Sequence, residues 1–354
     1  MPFIDVKVPE NYSLNERADK YLSSLENGMN RSKLKSGVTE ILINSKNAKL
    51  STKIKAGDTI FVQWEDNIPT DIIPQDIPLD IIYEDKNVTV VNKKVNMVTH
   101  PAAGNWDGTL VNALLYHWGR KSLSNKTKGQ IIEPQRPGIV HRLDKDTSGI
   151  IITAKNRETE EFLGNQFKNH NQISKIYICI CKGHPPVREG LIKTKIMRDS
   201  RDRKKFRVCD LEGEGKIAIS KFKCIACYGP YSLIKVKIYT GRTHQIRVHL
   251  KFLGCPILGD KIYSKSNKEN LFGNAPMMLH SFKLKIKIPE KPEIRTFYAK
   301  VPLRFKKVLK KLHSSFKKSL PPEKIEGNFP FTKTSKNPKI QLFLAKKGYG
   351  QWQK

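Results

Sequence analysis

The sequence predicts an α+β fold. Most of its apolar segments are short and strand-like, amphipathic helical stretches lie between some of them, and those stretches carry cap and stop residues. The strand-like segments are 79–83, 88–92, 150–154, 175–182 and 233–240. Asn156 is placed to cap a helix that runs to about Asn169, with Glu160 and Glu161 in its early turns. Thr243 is placed to cap another that stops at Gly254, with Ile246, Leu250 and Leu253 on one face.

Four segments follow along the chain. Residues 1–68 form a first unit. In it Leu14, Ala18, Tyr21, Leu22 and Leu25 predict a helix over 14–25. Arg31-Ser32-Lys33-Leu34-Lys35 predicts a short basic helix closed by Gly37. Strands are expected at 40–44 and, after a Gly57-Asp58 turn, at 59–62. Residues 69–78, with Pro69, Pro74 and Pro78, read as an extended linker. Residues 79–305 read as one larger domain, and 306–354 as a basic, partly disordered extension. There is no internal repeat.

The 354 residues carry 65 Lys and Arg against 33 Asp and Glu, a formal net charge of +32. Such an excess points to a polyanion, with RNA, DNA and an anionic membrane surface as the candidates. Lys outnumbers Arg 50 to 15, so a compositional bias is the competing explanation. No apolar run approaches the ~20 residues that span a bilayer, and no membrane partner is expected. Met1-Pro2-Phe3-Ile4-Asp5-Val6 lacks the basic and apolar regions of a signal peptide. Six Cys are too few for a disulfide framework, and a reducing cytoplasm is the expected setting.

Three clusters can carry chemistry. Residues 136–149, Arg-Pro-Gly-Ile-Val-His-Arg-Leu-Asp-Lys-Asp-Thr-Ser-Gly, are either a catalytic loop held by the strand after them or an exposed charged turn. Asp144 and Asp146 are rival carboxylates there, since an extended segment points both the same way. Residues 240–249, Thr-Gly-Arg-Thr-His-Gln-Ile-Arg-Val-His, mark a strand end, a Gly turn and a helix start, where Arg242 and Arg247 add charge to the dipole's positive end. The anion they attract is a phosphate or a catalytic carboxylate. Along 174–181, Tyr177 shares a strand face with Lys175, Cys179 and Cys181, and by itself reads as a packed aromatic. Cys224-Ile225-Ala226-Cys227 with Cys179 and Cys181 offers a weak zinc alternative to packed thiols, and no metal is expected.

Together these segments resemble the RluA/RluD family of RNA pseudouridine synthases. The likeness rests on 141–149, on Lys175-Ile176-Tyr177 and on 240–249. Gly254-Cys255-Pro256-Ile257-Leu258-Gly259-Asp260, Leu279-His280, Val91-Asn92-Lys93, 100–105 and Asp107-Gly108-Thr109 extend it over about 80–300. Residues 17–22, Arg31-Ser32-Lys33 and Gly57-Asp58-Thr59-Ile60 resemble an S-four-type RNA-binding domain, although Asn44-Ser45-Lys46 stands where Asn-Gly-Lys is usual.

The resemblance implies a mixed, largely antiparallel catalytic sheet with flanking helices, plus a small α/β amino-terminal domain. It implies isomerisation of uridine to pseudouridine without a cofactor, by a monomer acting on structured RNA. Large-subunit ribosomal RNA or a pre-ribosomal particle is the expected substrate, an RluC-like or transfer-RNA enzyme the alternative, and a non-catalytic ribosome-assembly protein the remaining one. Asp144 is assigned as the essential carboxylate, acting as a nucleophile or as a base at the ribose carbon 2. Arg247 is its guanidinium partner, able to form a bidentate fork. Tyr177 stacks on the base and serves proton transfer. Arg142 lies beside the flipped base or contacts phosphate. Leu143 and Leu279 are pocket walls or core, and His141, Thr147, His244 and Gln245 complete the expected substrate site. Arg17, Lys20, Arg31, Ser32, Lys33 and Lys35 are the expected RNA-docking residues of the first unit.

Overall fold

A computed structural model describes residues 3–25, 34, 38–64, 72–102, 104–120, 137–169, 173–264, 272, 275–321 and 342–343. Chain contacts divide into two compact units, with a break between Ile73 and Pro74.

The amino-terminal unit holds β1 (Phe3–Lys7), α1 (Ala18–Ser24), β2 (Val38–Ile43), β3 (Lys46–Asn47) and β4 (Thr59–Trp64). Its antiparallel sheet has the order β1-β4-β2-β3. The helix starts at Ala18 rather than Leu14. Arg17 is still extended and bridges Lys53, and Leu14 is exposed. Tyr21, Leu22, Ile54, Ile60 and Val62 bury in a common core. Of the expected basic helix at 31–35 only Leu34 is described; it is helical and buried. The turn between β2 and β3 holds Asn44 at φ 53° and Ser45 at φ 61°. Two left-handed residues in a two-residue hairpin loop are the type I′ geometry, which an Asn-Gly pair adopts without strain. Asn44 anchors this turn by accepting from the Thr59 N–H at 2.9 Å and donating to Asp58 at 2.8 Å.

The second unit is built on β5 (Ile81–Glu84), β6 (Val88–Lys93), α2 (Leu110–His117), β7 (Ser148–Ala154), α3 (Arg157–Asn169), β8 (Ser174–Lys182), β9 (Glu189–Arg198), β10 (Phe206–Cys209), β11 (Lys216–Tyr228), β12 (Tyr231–Ile238), α4 (Gln245–Phe252), β13 (Leu279–Lys287), β14 (Ile294–Tyr298), α5 (Leu303–Ser315), β15 (Lys318–Ser319) and β16 (Leu342–Phe343). One sheet runs β10-β9-β11-β12-β8-β13-β7-β6-β5, with β14 on β13, β15 on β11 and β16 on β9. Among the described residues every pair is antiparallel except β13 with β7. The mixed, largely antiparallel sheet with helices is the α+β architecture expected.

Strand β7 is buried on both faces, which is why it reads as a continuous apolar run: Ile151 packs into one core and Ile150 and Ile152 into another. Asn156 caps α3, accepting from the Thr159 N–H at 2.9 Å. Thr243 does not cap α4. His244 precedes it in a left-handed conformation, φ 56°, and its carbonyl accepts from the Val248 N–H. Helix α5 is the larger departure. It crosses the expected domain end at 305, and Phe305, Val308 and Leu312 join the main core. The Lys residues between them had hidden this i, i+3, i+7 stripe, so the start of the expected basic extension is structural.

The parallel β13–β7 pairing positions the site. His280 lies opposite Ser148 and Ser281 opposite Gly149, while β8 sets Tyr177 opposite Ser281. Gly149, at φ 113°, permits this approach: a Cβ there would lie 2.2 Å from the Ser281 oxygen. The loop entering β7, the start of β13 and the middle of β8 therefore converge.

Candidate active site

The convergence encloses a cavity of about 570 Å³, lined by Asp144, Tyr177, Arg247, Arg142, Leu143, His141, Thr147, His244, Gln245 and Leu279, among others. All ten expected substrate and catalytic positions of the second unit therefore meet at one cavity. The volume suits a nucleotide-sized ligand.

Asp144 and Asp146 do not share an orientation, because the segment is a turn: the Thr147 N–H donates to the Asp144 carbonyl at 3.0 Å. Of the two, Asp144 lines the cavity. Its side chain is 26% exposed, and its Oδ2 accepts from Arg247 Nη1 at 3.2 Å. The guanidinium is buried at the third position of α4. Its bidentate fork goes to Asp260: Nε to Oδ2 at 2.7 Å and Nη2 to Oδ1 at 2.8 Å. Asp260, also buried, accepts in addition from the N–H groups of Ile262 and Tyr263.

Burial opposes the charge on Arg247, but its hydrogen bonds to Asp260 and the charges of both carboxylates outweigh this and raise its pKa. Burial would raise the Asp260 carboxyl, but Arg247 and the two backbone donors hold it below its ordinary value. The Tyr263 ring lies 5.1 Å from the guanidinium carbon. Asp260 and Tyr263 were not recognised as site residues in the sequence. Asp260 closes the matching Gly254–Asp260 stretch, which was its available signal.

Tyr177 is 6% exposed, and burial, with the charge of Asp144 adding, pushes its phenol up to about 12. His244 is held below its ordinary pKa by burial, against the pull of Asp144 3.8 Å away, and its Nδ1 bonds the Tyr263 hydroxyl at 2.9 Å. His141 accepts from the Ile152 N–H through Nε2 at 3.0 Å and stacks on Phe167, with centroids 4.4 Å apart. Burial lowers its pKa to about 3, so it is a neutral wall.

Gln245 knits the turn before α4. Its Oε1 accepts from Thr240 Oγ1 and the Arg242 N–H, and its Nε2 donates to the Ile219 carbonyl and Ser220 Oγ. Leu143, Thr147 and Leu279 are buried at the cavity wall, with Leu143 also anchored by the Thr99 hydroxyl on its carbonyl. Arg142 is exposed at the rim.

Lys93 was passed over as a site residue. It is 1% exposed and donates to the carbonyls of Lys94, Met97 and Lys145, so it ties the end of β6 to the loop that bears Asp144. Burial lowers its pKa to about 7, opposed by the charges of Asp144 and Asp146.

In the first unit Arg17 closes both ends of its guanidinium on buried Asp19, at 3.0 and 3.1 Å, which is a structural contact. Lys20 is 64% exposed and pairs with Glu16 at 3.0 Å. Arg31, Ser32, Lys33 and Lys35 lie outside the described residues. Cys224 and Cys227 approach to 3.6 Å between sulfurs and are buried with Cys179 and Cys181 in the main core. Among the described residues no three His, Cys, Asp or Glu side chains are arranged to hold a metal ion. Among them no helix is long and apolar enough to cross a membrane.

Residues 87–252 match the RNA pseudouridylate synthase family. The chain is 40% identical to a Borreliella burgdorferi protein named ribosomal large subunit pseudouridine synthase D, over 85% of this chain and 91% of that one. A protein of the same name from Zymomonas mobilis is also 40% identical, over 71% and 78%. Among solved structures, human RNA pseudouridylate synthase domain containing 1 shares the fold, with a TM-score of 0.52 at 24% identity over 70% of this chain and 91% of that one.

Proposed function

Since the chain belongs to the RNA pseudouridylate synthase family and isomerises uridine to pseudouridine in RNA, we propose that it acts on large-subunit ribosomal RNA and that Asp144 is its essential carboxylate. The observation that carries the residue assignment is the contact of Asp144 with Arg247, itself fixed on Asp260, at the wall of the cavity. The substrate assignment is supported by the relatives named for the large ribosomal subunit.

The reaction breaks the N1–C1′ bond, turns the uracil and joins C5 to C1′; C5 gives up a proton and N1 gains one. Asp144 acts at the ribose, by attack at C1′ or by taking the C2′ proton, and both routes begin from the carboxylate. Arg247 balances that charge from a position in which Asp260 keeps it still. Tyr177 meets the base as a neutral phenol, since its pKa stands at about 12. Its ring packs against the uracil and its hydroxyl relays the C5 proton. The target base leaves its stack to enter the cavity, with exposed Arg142 at the mouth.

The amino-terminal unit, read as an S-four-type domain, docks structured RNA through Lys20 and the basic stretch at 31–35. On this reading the protein works as a monomer in the cytoplasm. Pseudouridine mapping of total RNA with and without the gene tests the substrate. Loss of one or a few sites from large-subunit ribosomal RNA is expected, and loss from transfer RNA alone overturns the assignment.

A further inference from the structure

The cavity has a second chemical feature beside the Asp144–Arg247 pair. Lys175 is the second residue of β8, two before Tyr177 on the same strand face, and lines the same cavity. The two positions stand about 7 Å apart along the strand. Lys175 is 8% exposed, and its Nζ lies 5.6 Å from the centre of the Phe167 ring. Among the described residues no carboxylate pairs with it and no carbonyl accepts from it. The neighbouring charge that acts on it is another cation, Arg242, and burial with that repulsion lowers its pKa to about 8.

Arg242 lines the cavity as well and donates its Nε to the Ile217 carbonyl at 2.9 Å; among the described residues its Nη groups have no hydrogen-bond partner, which leaves them for a ligand. Gly241 stands beside them: a Cβ there would lie 3.8 Å from the Lys175 Nζ. A buried cation facing a second cation, with no anion between, is costly unless something else supplies the charge.

The target uridine brings negative charge only through the phosphodiesters that flank it on its 5′ and 3′ sides. The Asp144–Arg247–Asp260 set has two carboxylates to one guanidinium and repels these groups. Lys175 and Arg242 attract them. We infer that Lys175 and Arg242 form a phosphate subsite that takes a phosphodiester of the target uridine, so that the nucleotide lies with its ribose at Asp144 and its phosphate toward the start of β8. This rests on the reading of Asp144 as the carboxylate that faces the ribose. A guanidinium and an ammonium on one phosphate also orient the ribose before any chemistry begins.

Two measurements test it. The first labels lysines of the full chain with limiting acetic anhydride at pH 8 and reads Lys175 by mass spectrometry. Millimolar uridine 3′,5′-bisphosphate is expected to slow modification of Lys175 about fivefold or more, and the same concentration of uridine to leave it unchanged. Equal protection by uridine, or none by the bisphosphate, overturns the subsite. The labelling is repeated on Asp144→Asn protein. Protection of Lys175 there, alongside retained isomerisation by that variant, sinks the Asp144 reading and leaves the subsite standing.

The second measurement compares Lys175→Gln and Lys175→Arg in tritium release from RNA labelled at uridine carbon 5. For Gln the KM is expected to rise about tenfold while kcat changes little, with a shallower salt dependence of binding, by about 0.7 in log–log slope for one lost phosphate contact. Arg is expected to restore the KM. A fall in kcat at unchanged KM, without rescue by Arg, assigns Lys175 to proton transfer and overturns the proposal.

Discussion

Arg247 reaches Asp144 with Nη1 alone, at 3.2 Å, because its Nε and Nη2 are both committed to Asp260. The fork that the sequence led us to expect on Asp144 is the anchor instead, and the contact with Asp144 is what the anchor leaves over. The guanidinium cannot follow the carboxylate without breaking two short bonds, so Asp144 meets a fixed positive charge.

Asp260 should therefore matter to catalysis without touching substrate. In Asp260→Asn the fork loses its charged acceptor, and kcat should fall on the order of 100-fold through misplacement of Arg247. Stability should fall by about 3–5 kcal/mol, as when one partner of a buried ion pair is removed. Urea unfolding and single-turnover rates on the same preparation measure both, and an unchanged kcat contradicts the anchoring role.

Stability should also fall in mild acid. His249 and His280 are buried and His141 half-buried, and desolvation holds His141 and His249 down to about 3 and His280 to about 4. The folded values lie below the unfolded value near 6.5, so the unfolded chain takes up protons first. Their contribution is complete above about pH 6.5 and is lost as the pH drops from there toward 3, by ~1.4 kcal/mol per pH unit for each imidazole. Among the described residues the His249 ring nitrogens meet hydroxyls, Thr194 Oγ1 at 3.1 Å and Ser220 Oγ at 2.9 Å. Thermal midpoints measured from pH 8 to 5 should fall less steeply for His249→Gln than for the native chain; equal slopes contradict this.

The β2–β3 turn offers a gain. Ser45 sits at φ 61°, where a side chain is strained. Ser45→Gly should stabilise the amino-terminal unit by about 1 kcal/mol, after the greater unfolded-state entropy of Gly is set against the relieved strain. Hydrogen exchange of β2 and β4 amides reads this locally. Faster exchange in the variant contradicts the strain assigned to Ser45.

Much of the catalytic unit was legible in the sequence. The cores of β6, β7 and β8 show as buried runs or alternation, Asp144 and Arg247 stand in long motifs, and Tyr177 stands in the short Lys175-Ile176-Tyr177 match. Other parts needed the third dimension. Asp144 and Arg247 are 103 residues apart, and Lys93 and Lys145 are 52 apart, so neither contact leaves a local pattern. Lys93 looks like any strand-end lysine until three carbonyls are seen around its ammonium. Helix α5 was masked by the Lys residues on its exposed side, and α1 was overextended because Leu14 is apolar yet exposed. The Thr243 cap failed because His244 takes the left-handed position before α4.

The central claim is that Asp144 carries the isomerisation. Tritium release from RNA labelled at uridine carbon 5, by the native chain and by Asp144→Asn, tests it most directly. Release by the variant is expected to stay at background while its RNA affinity remains within about threefold of native, since no phosphate contact is lost. Near-native release by Asp144→Asn would contradict the account.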